Sequence, residues 1–379
     1  MLAVLCPGQG AQSPGFLVSW LAAYAVRSRL DELSEAAGVD LYKAGTDPSY
    51  DVVDTAIAQP LLVAAGIVSA ELLGELSPET VLVGHSVGEL TAAAVSGAMS
   101  AADAVRTAAR RGEAMKGACA RADGGMTALL GGDADEVQGA IEAAGCVAAN
   151  VNGAGQVVAA GSRAALERLA ASPPPAARLR PLAVAGPFHT SAMAPAADEL
   201  ALALDAVAMS PQHLGIVSNL DGAMLASGTL LKQRLVSQVA APVRFDLCLQ
   251  TLRGLGVTAA VELAPGGVLA GIGRRELPGV DIVALRTPED VDAARALVAA
   301  QHPVGEHLDT DWRVVVAPAR GTFHPVAEID LTDAGHLGVV TNRAGDVAVT
   351  TDAPSGVVEW LATEGDPVNT GQPLARVHA

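Results

Sequence analysis

The feature that most constrains the fold is a serine between two glycines, in Gly84-His85-Ser86-Val87-Gly88. An apolar run at 81–83 leads into it, and a helix-forming segment at 90–95 follows it. This pattern is typical of the sharp turn between a buried strand and a helix, where a Cβ at either glycine would collide with neighbouring backbone. Such a turn places the Ser86 hydroxyl in front of the free N–H groups that begin the helix. Ser86 is therefore the candidate nucleophile, although the same turn also occurs around serines without a chemical role.

Composition and charge exclude several classes of function. Of the 379 residues 50% are hydrophobic and only 3% aromatic, which describes a globular chain with a core of Ala, Val and Leu. No apolar stretch reaches membrane-spanning length without a charge, Pro or Gly, so we expect no membrane partner. The net charge of −17 argues against nucleic acid as a partner.

Cysteine and histidine usage points to a compartment and away from metals. The four cysteines lie far apart with no Cys-x-x-Cys pair, which is typical of reduced thiols in a cytoplasmic protein. The eight histidines show no metal-ligand spacing. We therefore expect no metal and no cofactor.

Strand-like and helix-like segments alternate over the first 300 residues and predict an α/β domain. A glycine-rich loop at 7–15 follows the first strand, but it lacks the Gly-Lys-Ser/Thr of a phosphate-binding loop. Residues 123–189 differ, because their predicted order is strand, helix, two strands, helix and strand, with a hairpin signal at 150–153. This order suits a small ferredoxin-like unit inserted into the larger domain, which then comprises 1–122 and 190–300.

The carboxy-terminal segment has a different pattern. Residues 301–311 are predicted to be a linker. Apolar residues then alternate with a period of two through 312–379, with glycine-containing turns between the runs, which predicts a small all-β domain.

The nucleophile needs a base, and two histidines are candidates. His189 follows Pro187-Phe188 where a predicted strand gives way to a helix. His85 is adjacent to Ser86, but in a tight turn its side chain should point away from the serine. His189 is therefore the preferred general base.

Eight short motifs, in register along residues 1 to about 297, resemble those of malonyl-CoA:acyl carrier protein transacylases and the related acyltransferase domains of polyketide and fatty-acid synthases. They are Pro7-Gly8-Gln9-Gly10-Ala11-Gln12, Ala58-Gln59-Pro60, Gly84-His85-Ser86-Val87-Gly88-Glu89, Arg111-Gly112-Glu113-Ala114-Met115, Gly186-Pro187-Phe188-His189, Ser218-Asn219-Leu220-Asp221-Gly222, Gln238-Val239-Ala240-Ala241-Pro242-Val243 and Glu262-Leu263-Ala264-Pro265-Gly266. The resemblance implies a hydrolase-like parallel-sheet core with the ferredoxin-like insertion.

The resemblance also implies a role for each matched position. Ser86 would attack the thioester and become malonylated, with His189 as base. The other ring nitrogen of His189 would be held by the backbone carbonyl of Gln238. The backbone N–H groups of Gln9 and Val87 would form the oxyanion hole.

The acyl-binding residues are implied in the same way. Arg111 would hold the malonyl carboxylate with two donors, and the Arg-Gly-x-x-Met match selects it over Arg110. Gln59 and Asn152 would line the acyl pocket. Phe188 leaves no room for an α-methyl group, so we expect selectivity for malonyl over methylmalonyl.

The implied partners are malonyl-CoA and acyl carrier protein. Because carrier proteins are acidic, contact should fall on local basic residues, and the candidates are Arg274 and Arg275, with Arg110 and Lys116. Two alternatives stay open: an acyl-thioester hydrolase with the same Ser–His pair, which leaves Arg111 unexplained, and a non-catalytic scaffold, in which Ser86 would be dispensable.

Residues 312–379 resemble biotinyl/lipoyl carrier domains of the barrel-sandwich type, in the segments 317–324, 353–358 and 364–374. These domains attach their cofactor to a lysine at a hairpin tip, which here falls at about 342–346. The chain has no lysine after Lys232, so amide attachment of biotin or lipoate is excluded in this unit. A docking or oligomerisation module and a merely stabilising appendage remain the alternatives.

Overall fold

The computed structural model describes residues 1–22, 24–225, 227–301, 312–326, 336–350, 357–370 and 372–378. It divides into two compact units, Met1–His302 and Pro303–Ala379, which we describe separately. Of the predicted linker at 301–311, all but Gln301 lies outside the described residues.

The first unit contains ten strands and twelve α-helices among its described residues. The strands are β1 (Leu2–Cys6), β2 (Val81–Gly84), β3 (Gly124–Gly131), β4 (Val147–Gly153), β5 (Gln156–Ser162), β6 (Ala177–Pro181), β7 (Gly215–Val217), β8 (Val243–Arg244), β9 (Ala259–Glu262) and β10 (Asp281–Ala284). The helices are α1 (Tyr24–Ala37), α2 (Leu41–Thr46), α3 (Thr55–Glu71), α4 (Gly88–Val95), α5 (Ala101–Cys119), α6 (Ala134–Ala143), α7 (Arg163–Ala171), α8 (Ala194–Asp205), α9 (Gly228–Ser237), α10 (Phe245–Gly254), α11 (Val268–Glu276) and α12 (Val291–Gln301). Short 3₁₀ turns occur at Val18–Ala22, Ser191–Met193 and Pro288–Asp290.

A five-stranded parallel sheet with the order β10-β9-β1-β2-β7 forms the centre of this unit. Its strands are buried on both faces, since Leu2 and Val4 join one core cluster while Ala3 and Leu5 join another. In a parallel sheet the carboxyl ends of all strands meet at one edge. The loops after β1, β2 and β7 are therefore neighbours, which brings residues 8–10, 85–87 and 218–219 together.

Close approach of helices α3 and α5 depends on a glycine. A Cβ on Gly112 would lie only 2.5 Å from the Thr55 carbonyl oxygen and 2.9 Å from the Ala56 Cα. Glycine at this position thus lets α5 pack directly against the start of α3. The consequence is that Arg111 on α5 and Gln59 on α3 face each other in the interior.

A second sheet has the order β6-β3-β5-β4-β8. Its first four strands pair antiparallel, and β8 from the larger part of the unit adds to β4 in parallel through Asn150–Val243 and Val151–Arg244. Helices α6 and α7 cover this sheet around a core that includes Leu129, Ile141 and Leu169. The hairpin predicted at 150–153 exists, but its turn falls one step later, at Ala154-Gly155, where both residues have positive φ.

The second unit contains seven strands among its described residues: β11 (Trp312–Val316), β12 (Gly321–Pro325), β13 (His336–Asn342), β14 (Gly345–Thr350), β15 (Val357–Trp360), β16 (Pro367–Val368) and β17 (Pro373–His378). They form a three-stranded sheet, β11-β17-β15, and a four-stranded sheet, β14-β13-β12-β16. Phe323, Leu337 and Leu374 belong to its own buried core. Of the segments that resemble carrier domains, residues 353–356 and residue 371 lie outside the described residues.

The expectation of a mixed α/β chain with a parallel sheet is confirmed. Within the described residues, no helix is both long and apolar enough to cross a membrane.

Candidate active site

The nucleophile turn joins β2 to α4 and is held from both sides. Ser86 has φ of 53°, in the left-handed region that costs a non-glycine residue backbone energy. A Cβ on Gly84 would meet the Glu89 nitrogen at 2.2 Å, and one on Gly88 would meet the Cys6 carbonyl oxygen at 2.1 Å. Both flanking glycines are thus required by close approach, as the sequence pattern predicted.

Asn219, in the loop after β7, fastens this turn. Its Oδ1 accepts a hydrogen bond from the Ser86 N–H at 2.6 Å, and its Nδ2 donates to the Gly84 carbonyl. The Ser86 N–H is therefore already occupied. Any oxyanion at this site would need other donors. The predicted ones, the N–H groups of Val87 at the start of α4 and of Gln9 after β1, stay a prediction.

His189 reaches Ser86 across 103 residues of sequence. Its Nε2 lies 2.8 Å from the Ser86 Oγ, and its Nδ1 lies 2.7 Å from the Gln238 carbonyl oxygen. A carbonyl only accepts, so Nδ1 carries the proton and Nε2 is left to accept the serine proton. The φ of His189 is 59°, a second left-handed residue in the site that no flanking glycine signalled.

The imidazole is neutral in this environment. Burial first, and then the nearby positive charge of Arg111, lower the pKa of His189 to about 3. A neutral imidazole is the form that accepts a proton, so the base is ready over the whole physiological pH range.

Arg111 is one of the largest fully buried side chains in the described chain, 2% exposed. Its Nη1 donates to Gln59 Oε1 at 2.7 Å, and its Nη2 donates to Gln238 Oε1 at 2.9 Å and to Ser86 Oγ at 3.1 Å. Burial lowers its pKa to about 10, so the guanidinium is charged at neutral pH. These partners are all neutral oxygens, which leaves the charge available to an anionic ligand.

Three further predicted residues lie at the same pocket. Gln9, at the mouth, donates from Nε2 to the Val53 carbonyl at 3.3 Å. Phe188 is 7% exposed and lines the pocket beside His189. Asn152 also lines it, but its Oδ1 lies 2.9 Å from the His85 Nε2. His85 Nε2 is therefore engaged by Asn152, whereas the Ser86 Oγ is contacted by His189.

The pocket is a cavity of about 420 Å³. Ser86, His189 and Arg111 meet in it, and its walls include residues of the loops after β1 and β2, of the second sheet and of α11, among them Asn152, Val158 and Ile272. Its size suits a small acyl group together with part of the chain to which that group is attached. Within the described residues, no group of three or more His, Cys, Asp or Glu side chains is placed to hold a metal ion.

Two buried polar residues in the site were missed as functional candidates, although both stand in matched motifs. Asn219 fastens the nucleophile turn, and Glu89, directly after Gly88, accepts from the Asn219 N–H at 2.6 Å and from Gln238 Nε2. For Glu89 the sequence did offer a signal, because it places an acidic residue in the first turn of a helix that must be buried. Asn219 gave no local signal, because the Ser86 N–H and the Gly84 carbonyl that its side chain binds lie more than 130 residues away in sequence.

Together, the strand–turn–helix serine, the neutral histidine and the buried arginine define a class: serine-dependent acyl-transfer proteins of α/β fold. Residues 4–297 match the family described as the acyl transferase domain, and the chain belongs to this family.

Named relatives are similar over the same region. The chain is 46% identical over 297 residues to the malonyl CoA-acyl carrier protein transacylase of Mycobacterium tuberculosis H37Rv, covering 77% of this chain and 98% of the relative. The Bacillus subtilis protein of the same name is 33% identical over 304 residues, covering 77% and 96%.

Solved structures are also similar to this chain. The crystal structure of MCAT from Mycobacterium tuberculosis matches with a TM-score of 0.75 and 45% identity, covering 78% of this chain and 99% of that one. A second match is PlMCAT:AntF (holo), described as a type II PKS acyl-carrier protein in complex with its malonyl-transacylase, with a TM-score of 0.73 and 29% identity, covering 78% and 99%.

Proposed function

We propose that this protein transfers a malonyl group from malonyl-CoA to the phosphopantetheine thiol of acyl carrier protein, through a malonyl-Ser86 intermediate. The observation that carries the proposal is the convergence of Ser86, His189 and the charged Arg111 in one buried pocket. Family membership and the names of the relatives support the same activity.

The first half-reaction forms the acyl-serine. The Ser86 Oγ attacks the thioester carbonyl carbon while His189 Nε2 takes the hydroxyl proton. The resulting oxyanion is held by the N–H groups of Val87 and Gln9. As the tetrahedral intermediate collapses, the C–S bond breaks, and the imidazolium returns its proton to the departing CoA thiolate.

The second half-reaction reverses these steps with another thiol. His189 Nε2 deprotonates the carrier thiol, whose sulfur attacks the malonyl-serine carbonyl. The Ser86 oxygen then leaves and regains the proton. The Gln238 carbonyl keeps the imidazole in the same tautomer through both halves, because it accepts only from Nδ1–H.

The arginine clamp supplies substrate choice. A carboxylate on Arg111 gains charge-assisted hydrogen bonds in a site shielded from water, where they are strong. Gln59, on α3, and Gln238, directly after α9, each accept a hydrogen bond from the guanidinium and so orient its plane. An acyl group without a carboxylate would leave the buried charge without an anionic ligand.

The carrier would approach near α11. Arg274 and Arg275 are exposed at the end of this helix, whose start lines the pocket through Val268 and Leu269. Lys116 is paired with Asp54 at 2.6 Å, so it is the weaker candidate beside Arg110. Charge reversal in Arg274→Glu/Arg275→Glu should raise KM for carrier while leaving KM for malonyl-CoA unchanged. Equal effects on both would exclude this docking site.

We also propose finer domain assignments. The strand order β6-β3-β5-β4 and the two helices on one sheet support a ferredoxin-like unit at 123–189 within a hydrolase-like core at 1–122 and 190–300. Two small antiparallel sheets with a hairpin between β13 and β14 support a biotinyl/lipoyl-like barrel sandwich at 312–379. A cytoplasmic location rests on the four cysteines, which are all free and buried.

Mass spectrometry after incubation with malonyl-CoA tests the proposal. We expect a malonyl adduct on a peptide containing Ser86, discharged by holo acyl carrier protein with malonyl appearing on the carrier. Rapid release of free malonate without any carrier would indicate the thioester hydrolase instead. Absence of an adduct, with no malonate released, would contradict both enzymes.

A further inference from the structure

Glu89 is a buried acid that the mechanism above does not use. It is fully buried on the first turn of α4, and its two oxygens have separate partners. Oε1 accepts from the Asn219 N–H at 2.6 Å, and Oε2 accepts from the Gln238 Nε2. A buried carboxylate destabilises the fold unless its surroundings compensate, so the hydrogen bonds to Glu89 need an explanation.

Each partner of Glu89 is itself attached to the reacting groups. Asn219 Oδ1 accepts from the Ser86 N–H. Gln238 Oε1 accepts from Arg111 Nη2 at 2.9 Å, while its Nε2 also donates to the Ser86 carbonyl at 3.0 Å. The Glu89 carboxylate is thus connected through one intervening residue to each of two groups. Asn219 connects it to the nucleophile turn, and Gln238 connects it to Arg111.

We infer that Glu89 is a positioning residue, which fixes the direction of the hydrogen bonds on Arg111 and gives the guanidinium a counter-charge through Gln238 rather than by direct contact. This inference rests on the proposed function, since it assigns the clamp to a carboxylate-bearing acyl group.

The direction of the chain of hydrogen bonds carries the inference. Both Glu89 oxygens face N–H donors and accept from them, the arrangement that suits the carboxylate form. Gln238 therefore presents Nε2 to Glu89 and Oε1 to Arg111. Arg111 Nη2 consequently donates to the amide oxygen of Gln238 and does not face its NH₂ group.

The indirect contact has a second consequence. Arg111 bonds only to the neutral oxygens of Gln59, Ser86 and Gln238, so among the described residues no carboxylate occupies it directly. Burial raises the pKa of Glu89 to about 7, against the hydrogen bonds from Asn219 and Gln238 and the positive charge of Arg111, which lower it. Burial lowers the pKa of Arg111 to about 10, against the negative charge of Glu89, which raises it. The guanidinium is therefore charged at neutral pH without a protein carboxylate that the substrate would have to displace.

Glu89→Gln breaks this arrangement with almost no change of shape. The Asn219 backbone N–H cannot reverse, so it takes the remaining side-chain oxygen and the new NH₂ group faces Gln238 Nε2. If the Gln238 amide turns over, its NH₂ faces Arg111 and its oxygen faces the Ser86 carbonyl. Either way two like groups oppose each other in the interior.

The experiment measures the rate of Ser86 acylation by malonyl-CoA and, separately, by acetyl-CoA, which lacks the carboxylate. For Glu89→Gln we expect kcat/KM with malonyl-CoA to fall about 100-fold, as for a buried polar group left unpaired, and that with acetyl-CoA about fivefold or less. The matched control is Glu113→Gln, an identical change at an exposed position two residues after Arg111. It should alter neither rate.

A purely structural role would lower both rates together, and an unchanged malonyl-to-acetyl ratio in folded Glu89→Gln would overturn the inference. Gln238→Met covers the case in which Glu89→Gln fails to fold, because it keeps the carboxylate and removes the amide that joins it to Arg111, together with the hydrogen bond of that amide to the Ser86 carbonyl. It should show the same selective loss, and retention of malonyl preference would again overturn the inference. The wild-type protein in the same assay distinguishes failure of this inference from failure of the proposed function. If the wild type forms no malonyl-Ser86, the proposed function itself is refuted.

Discussion

Two walls of the pocket differ in what they contribute. The wall formed by the ends of β1 and β2, with His189, holds the serine and histidine to which the proposal gives the bond-making steps. The wall formed by α3 and α5, supported by Gln238, holds the positive charge of Arg111. In the proposed mechanism the first would act on the thioester carbonyl that every acyl-CoA has, whereas the second would act on a carboxylate that few acyl groups have. We therefore expect reactivity and selectivity to be separable, and substitutions in each wall should show it.

The two walls are also coupled through charge. Arg111 is the second cause of the lowered pKa of His189, after burial. A bound malonyl carboxylate would offset that positive charge next to the imidazole. We therefore expect His189 to be more basic when the correct acyl group is bound, which links the clamp to the base.

The largest effect should come from the reaction wall. Ser86→Ala removes the nucleophile, so transfer of malonyl and acetyl groups should both fall by at least about 10⁴-fold. Mass spectrometry should find no acyl adduct, while thermal unfolding stays near that of the wild type. Substantial residual transfer in this variant would support the scaffold interpretation or another nucleophile.

A selective effect should come from the clamp wall. Arg111→Ala removes the partner of the carboxylate, and kcat/KM for malonyl-CoA should fall about 10²–10³-fold, the usual cost of truncating one member of a buried charged pair. Acetyl-CoA should lose far less, so the preference between the two thioesters inverts. A parallel fall of both substrates would show that Arg111 serves the reaction wall as well.

The same variant tests the coupling by its pH dependence. Without the nearby positive charge, the pKa of His189 rises from its value of about 3. Since only neutral imidazole accepts the serine proton, acetylation of Ser86 should be lost at a higher pH on the acid side than in the wild type. An acid limb at the same pH would mean that burial alone sets the basicity of His189.

The two walls also differ in how far the sequence predicts them. Ser86 was identified from neighbouring glycines, because the close contacts that require those glycines fall within a few residues and on the adjacent strand. Nothing local distinguishes Arg111 from Arg110; only the resemblance selected it, and the contact of Gly112 with α3 gives the physical reason. Glu89 and Asn219 were missed because their roles arise from contacts across 130 residues or more. Local pattern predicts turns and elements, whereas a buried polar network exists only after folding.

A smaller effect should follow from the size of the residue next to the base. Phe188 is buried against the pocket, so Phe188→Ser should open space for an α-methyl group. We expect the ratio of methylmalonyl to malonyl transfer to rise about 10-fold, the usual discrimination for one methyl group in an apolar pocket. Phe188→Leu, which keeps most of the volume, is the control. Unchanged selectivity in Phe188→Ser would show that the Phe188 ring does not determine the choice between malonyl and methylmalonyl groups.

The smallest effect should come from removing the second unit. Every residue assigned above to either wall lies within Met1–His302, and the strands of the second unit have a buried core of their own. Deleting 303–379 should therefore leave malonylation of Ser86 within about twofold of the full chain, because changes in independent regions act additively. Transfer to carrier protein is the informative second measurement. A raised KM for carrier with normal malonylation would assign docking to the second unit, whereas normal values for both would leave it a stabilising appendage. Slower malonylation of Ser86 itself would contradict the expectation that the first unit carries the whole reaction site.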